Sequence, residues 1–197
     1  PRPTETLAAF GLAYGIASLL SGILTQARQL SLALVEHDQG YRTIFRFAIL
    51  AGLALSGVLA LCALTPLGDW LIGDLHGVEP SLTDVVLLAF LWLIPYPFLR
   101  GMTRIYIGTL LRIRRSEIPA YGTTAGFGLS ILTVFLLLPI DFVQRDPILL
   151  PVLATYAGVL TELAVVVWGH WRHVRFPAQN DAPALEMSYV LRFFWPL

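Results

Sequence analysis

Apolar residues in this 197-residue chain come in long runs, not in the alternation of a half-wet strand or the stripe of a surface helix. A bilayer core about 30 Å thick asks for about 20 apolar residues per helix. Five stretches reach that length, some with polar interruptions: 7–27, 44–65, 85–111, 118–140 and 148–171. They predict five transmembrane helices. Pro1-Arg2-Pro3-Thr4-Glu5 precedes the first run and offers neither a basic leader nor a small-residue cleavage site, so this run reads as a retained span and not as a signal peptide.

The polar segments between the spans carry the topology, because Arg collects in short cytoplasmic loops. Residues 28–46 hold Arg28, Arg42 and Arg46, whereas 66–84 hold Asp69, Asp74, Glu79 and Asp84 and no Arg. Residues 112–117 hold Arg112, Arg114 and Arg115, the loop 141–147 is net acidic, and 170–175 hold His170, Arg172, His173 and Arg175. The alternation places the N-terminus of the first span outside and 28–43, 112–117 and 172–188 in the cytoplasm. The stretch 174–188, with Pro177, Gln179, Asn180, Asp181 and Pro183, reads as a polar linker between two lobes, and 189–197 as the start of a further helix. Both ends of the chain look cut on this reading.

Composition agrees with a membrane protein: 56% of residues are hydrophobic, 13% are charged and the mean hydropathy is +0.71, more apolar surface than a soluble domain of this size has core to receive. Thirteen basic and thirteen acidic residues balance, so no global field points to nucleic acid. Every basic residue is Arg, which reads as genomic composition bias. Cys62 stands alone within an apolar run and forms no intrachain disulfide.

Ionisable groups at membrane depth mark a solute pathway or a buried pair. Arg100 and Arg104, four residues apart on one helical face, follow Pro95-Tyr96-Pro97, and two prolines within a span predict a kinked or opened helix. In one reading both guanidinium groups enter a central cavity and bind an anionic solute; in the other Arg104 snorkels to the interface and Arg100 is neutralised by a carboxylate. Glu162 lies well inside the fifth span, either as a proton- or cation-coupling carboxylate or as the counter-ion of Arg100. Tyr14, Tyr106, Tyr121 and Tyr156 have hydroxyls that suit either a solute or a helix contact. Small residues at Gly11, Gly15, Ser18 and Gly22, and at Gly122, Gly126 and Ser130, read as packing strips. His37, His76, His170 and His173 read as headgroup-level residues, and His170 and His173 have no Cys or acidic neighbour to complete a metal site. No phosphate-binding Gly-rich loop with Lys, nucleophile elbow or paired carboxylate set supports a hydrolase, and no cofactor is implied.

Several separated segments occur in a distinctive order: Ala9-Phe-Gly-Leu-Ala-Tyr14, Gln29-Leu-Ser-Leu-Ala-Leu-Val35 before Tyr41-Arg42-Thr43, Pro95-Tyr-Pro-Phe-Leu99, Arg145-Asp-Pro-Ile-Leu-Leu-Pro151 and Phe193-Phe-Trp-Pro-Leu197. In these the chain resembles the progressive ankylosis protein family, a branch of the multidrug and oligosaccharidyl-lipid exporter superfamily. The resemblance implies an all-α integral membrane protein, here an incomplete six-helix N-terminal lobe of a MATE-like transporter: about five transmembrane helices (1–173), the inter-lobe loop and the beginning of the second lobe. It implies export of pyrophosphate, nucleotide or citrate. Arg100 and Glu162 stand where the family's animal pattern has an acidic and a basic residue, a reciprocal reversal that fits an ion pair between the third and fifth spans. Other branches of the superfamily imply a cation-coupled multidrug antiporter or a lipid-linked oligosaccharide flippase. A membrane-embedded enzyme or a structural membrane protein is the more distant alternative. The partners implied are the lipid bilayer, a small solute and a second lobe, with no nucleic acid, and the setting implied is a bacterial inner membrane.

Overall fold

A computed structural model describes residues 3–35, 38–175 and 186–194. Among them there are helices and no strands, and four to five helices are long and apolar enough to cross a membrane. The first, α1 (Pro3–Ile23), runs through a turn at Leu24 into α2 (Thr25–Leu34). Residues 28–35 read as loop in the sequence because Gln26, Arg28 and Gln29 interrupt the apolar run. They are helical because α2 is amphipathic and buries Ala27, Leu30 and Ser31. After α3 (Asp38–Leu64) come the single-turn α4 (Pro66–Asp69) and a π-helical segment (Trp70–Leu75), both inside the acidic segment between the second and third spans. Pro80 at the first turn starts α5 (Pro80–Leu93), five residues earlier than the apolar run suggests.

The third span is broken. Between α5 and α6 (Tyr96–Arg112) the axis turns through 41°, where Pro95 and Pro97 withhold two backbone donors. The exposed backbone finds a partner on a neighbouring helix: Tyr156 donates to the carbonyl of Trp92 at 2.6 Å. At its other end α6 stops on a left-handed residue, Arg114 (φ 59°), and the amides of Arg114 and Arg115 donate back to the carbonyls of Leu111 and Leu110, both at 3.0 Å. The remaining helices are α7 (Glu117–Leu137), the short α8 (Asp141–Arg145), α9 (Leu149–His173) and α10 (Met187–Phe194). Residues 176–185, most of the expected inter-lobe linker, and 195–197, the end of the expected next helix, lie outside the described residues, as does His37.

Helix α6 is the hub, packed against α2, α3 and α9 and touching α1. Gly108 allows α2 to approach: a Cβ there would stand 2.6 Å from the carbonyl oxygen of Arg28 and from Ser31 Cβ. Arg112 donates to the Leu32 carbonyl at 3.0 Å, near the C-terminus of α2. Helix α7 packs chiefly on α9. There Gly126 and Gly158 let the backbones nearly touch, since a Cβ on Gly126 would lie 2.7 Å from Gly158 O. The small-residue strip of α7 thus carries a helix contact, whereas Gly11, Gly15 and Gly22 of α1 have nothing within 4 Å of an added Cβ among the described residues.

Candidate functional site

Four helices, α1, α6, α7 and α9, line an open cavity of about 550 Å³. Its charged end is set by residue spacing. On α6, Arg100 and Arg104 are one turn apart and line the same cavity, while Gly101 faces Leu24 and Ala48 of α3 and Gly108 faces α2. On α9, Glu162 shares its buried stripe with Val159, Val166, Gly169 and His170, the i, i+4, i+7, i+8 pattern of an inward face.

These elements bring Arg100 Nη1 to 2.7 Å from Glu162 Oε2, with side chains 23% and 10% exposed. The second carboxylate oxygen accepts from Thr123 Oγ1 of α7 at 3.1 Å. Glu162 therefore has both oxygens engaged, one by a charge-assisted bond. Arg100 is held from a second side as well, its guanidinium carbon lying 6.0 Å from the centre of the Tyr96 ring. Tyr96 in turn donates to the hydroxyl of Tyr14 at 3.1 Å, the rings meeting edge to face with centroids 5.4 Å apart. Tyr14 lines the cavity, and with its oxygen accepting from Tyr96 its own O–H is directed elsewhere.

Arg104 lines the same cavity, yet among the described residues it makes no hydrogen bond and no ion pair. Its electrostatic neighbours are Arg100 and Arg28, which repel it, and Glu162, which attracts it. With Glu162 already paired to Arg100, the Arg104 guanidinium is the uncompensated charge of the lining. The structure thus brings Arg100, Arg104, Tyr14 and Glu162 together around one space and sets Pro95 and Pro97 at the break that aims α6 into it. Among the described residues no group of three or more His, Cys, Asp or Glu side chains is placed to hold a metal ion.

His170, near the C-terminal end of α9, is 7% exposed and packed inside the bundle. Its ring stacks on Tyr41 (centroids 5.2 Å apart) and meets Tyr106 edge to face (5.1 Å). Thr109 Oγ1 lies 2.9 Å from both His170 Nδ1 and the Tyr106 carbonyl oxygen, bridging the ring to the α6 backbone. The signal for this burial was in the sequence, because His170 falls on the stripe that carries Glu162. Proximity to Arg172 and Arg175 masked it. Thr123 gave no such signal, being one of many hydroxyls in apolar helices.

The sequence profile of the progressive ankylosis protein family matches residues 2–197. No solved structure matches the chain. The chain belongs to the progressive ankylosis protein family, and with its long apolar helices it is a multi-pass membrane protein of a transporter family.

Proposed function

From that membership as premise, we propose that the cavity between α1, α6, α7 and α9 is an anion site of an alternating-access exporter, with Arg104 as its binding cation. One observation carries this reading: Arg104 is turned into a cavity at membrane depth with no partner among the described residues, while Arg100 beside it is neutralised. An uncompensated guanidinium is costly there unless a solute's negative group completes it, and its planar fork suits phosphate or carboxylate oxygens. Arg100 and Glu162 then serve as a latch that holds α6 to α9 and fixes the direction of Arg104. Tyr14 offers a hydroxyl to the same solute. Pyrophosphate, nucleotides and citrate are the solutes the family resemblance suggests, and the MATE-like arrangement suggests rocking of two lobes about a midplane site.

A cation-coupled antiporter is the second reading, favoured by the position of Glu162 inside a span. The double engagement of its carboxylate opposes a role as proton carrier. Efflux of labelled pyrophosphate and citrate from proteoliposomes holding the full-length protein tests both. Arg104→Gln is expected to lower flux at least tenfold with thermal unfolding unchanged, and Arg104→Lys to retain part of it. Full flux through Arg104→Gln would remove the anion site, and flux that follows an imposed pH or sodium gradient through a Glu162-dependent step would favour the antiporter.

A further inference from the structure

The charges of the cavity lie at one end. Thr123, Arg100, Arg104 and Glu162 gather at the level of the ion pair, whereas beyond them Phe127, Ile131 and Val134 of α7 face Pro151 and Val159 of α9. Eleven helical rises of ~1.5 Å separate Thr123 from Val134, so the apolar wall extends roughly 16 Å from the charged end. The hydroxyl midway, on Ser130, is occupied by the Ala154 carbonyl at 2.8 Å, which leaves Thr155 as the polar group of that stretch. Phe127 and Ile131 remain 68% and 59% exposed, so the wall is uncovered among the described residues.

Size and charge agree. A volume of about 550 Å³ falls within the roughly 300–1,000 Å³ of pockets that hold drug-sized ligands. A compact anion would occupy the charged end and leave the apolar remainder to water with few hydrogen-bond partners. The lining offers one uncompensated guanidinium, the complement of one phosphate or carboxylate group rather than of several.

Resting on the anion-site reading above, we propose that the cavity takes an amphiphilic anion: a single phosphate or carboxylate on Arg104, with an apolar chain or ring lying along the α7–α9 wall. A membrane phospholipid and a soluble alkyl or aryl anion share this chemistry.

Titration of the full-length protein in nanodiscs with n-alkyl phosphates from butyl to decyl, corrected for partition into empty nanodiscs, tests it. Affinity is expected to rise roughly threefold per added methylene until the wall is filled. Ile131→Gln and the milder Ile131→Ala flatten that slope. Arg104→Gln weakens every member of the series alike. Affinity that depends on Arg104 but not on chain length, with pyrophosphate binding at least as tightly as decyl phosphate, overturns the amphiphile and leaves the anion site standing. Binding that ignores Arg104 overturns the anion site itself. In sealed proteoliposomes holding the same protein, accelerated dithionite bleaching of a short-chain fluorescent phosphatidic acid assigns the lipid as source. An unchanged bleaching rate beside a chain-length-dependent affinity assigns the soluble anion.

Discussion

At the scale of single residues, the Arg100–Glu162 pair is the interaction whose loss should be felt most. Both side chains are largely out of contact with solvent, and removing one partner leaves the other charged in a poor solvent for charge, at a cost of roughly 3–5 kcal/mol. Thr123 adds a bond that only the carboxylate can accept. Arg100→Gln and Glu162→Gln are each expected to lower the unfolding temperature in detergent. The exchange Arg100→Glu with Glu162→Arg is expected to recover more than half of either loss, because the ion pair between the two helices outweighs the single Thr123 bond that the exchange gives up. A double exchange as unstable as the sum of the single changes would show that Thr123 and Tyr96 impose the order of the charges. The pair was legible in the sequence as two opposite charges within spans. That Arg104 has no comparable partner was not legible, because spacing places it on the same face as Arg100 and says nothing of which of the two a carboxylate reaches.

Among elements, α6 shows how a broken helix positions a site. Were the helix continuous from Pro80 to Arg112, Arg100 and Arg104 would keep their mutual stacking but leave the direction that meets α9. The two prolines hold the 41° turn, and Tyr156 covers the Trp92 carbonyl. Pro95→Ala with Pro97→Ala restores two amide donors, and a proline in a helix interior costs about 3 kcal/mol. The double variant is therefore expected to be at least as stable as the parent while anion flux falls about tenfold or more. Unchanged flux would mean that packing by α2 and α3, and not the prolines, sets the bend. The prolines announced a break in the sequence. Other features were hidden for physical reasons: α2 looked like loop because its polar residues cover only one side, and the π-helical segment Trp70–Leu75 has no signature in a pattern of periods 2 and 3.6. The glycines of α1 and α7 look alike in sequence, yet only those of α7 meet a helix among the described residues, since the motif records closeness that is allowed and not closeness that occurs.

For the molecule as a whole, the orientation of the bundle decides which way the site can be reached, and it rests on charge. Arg112, Arg114 and Arg115 cluster at the C-terminal end of α6, and the acidic residues Asp69, Asp74, Glu79 and Asp84 cluster at the opposite ends of α3 and α5. Short loops rich in Arg are expected on the cytoplasmic side, and on that expectation the charged end of the cavity, near Thr123 in the first two turns of α7, is toward the cytoplasm and its apolar end toward the outside. Such a polarity suits an exporter that loads its anion from within. The chain provides its own means of measuring this. Cys62 is buried and is the single cysteine of these 197 residues, so replacing it by Ala, together with any cysteine elsewhere in the full-length protein, gives a background free of thiols. Ser81, Ser116 and Gln144 are exposed at three different helix ends. Introduced singly as cysteines, Ser81→Cys and Gln144→Cys are expected to react with an impermeant maleimide added outside intact cells, and Ser116→Cys only after the membrane is opened. Reaction of Ser116→Cys from outside with protection of the other two would invert the bundle, and the cavity's charged end would then face the receiving side. Reaction of all three from one side would deny that α5 with α6, and then α7, each cross the bilayer. The direction of α6 relative to the membrane follows from the same labels, and with it the side toward which the charged end of the cavity lies.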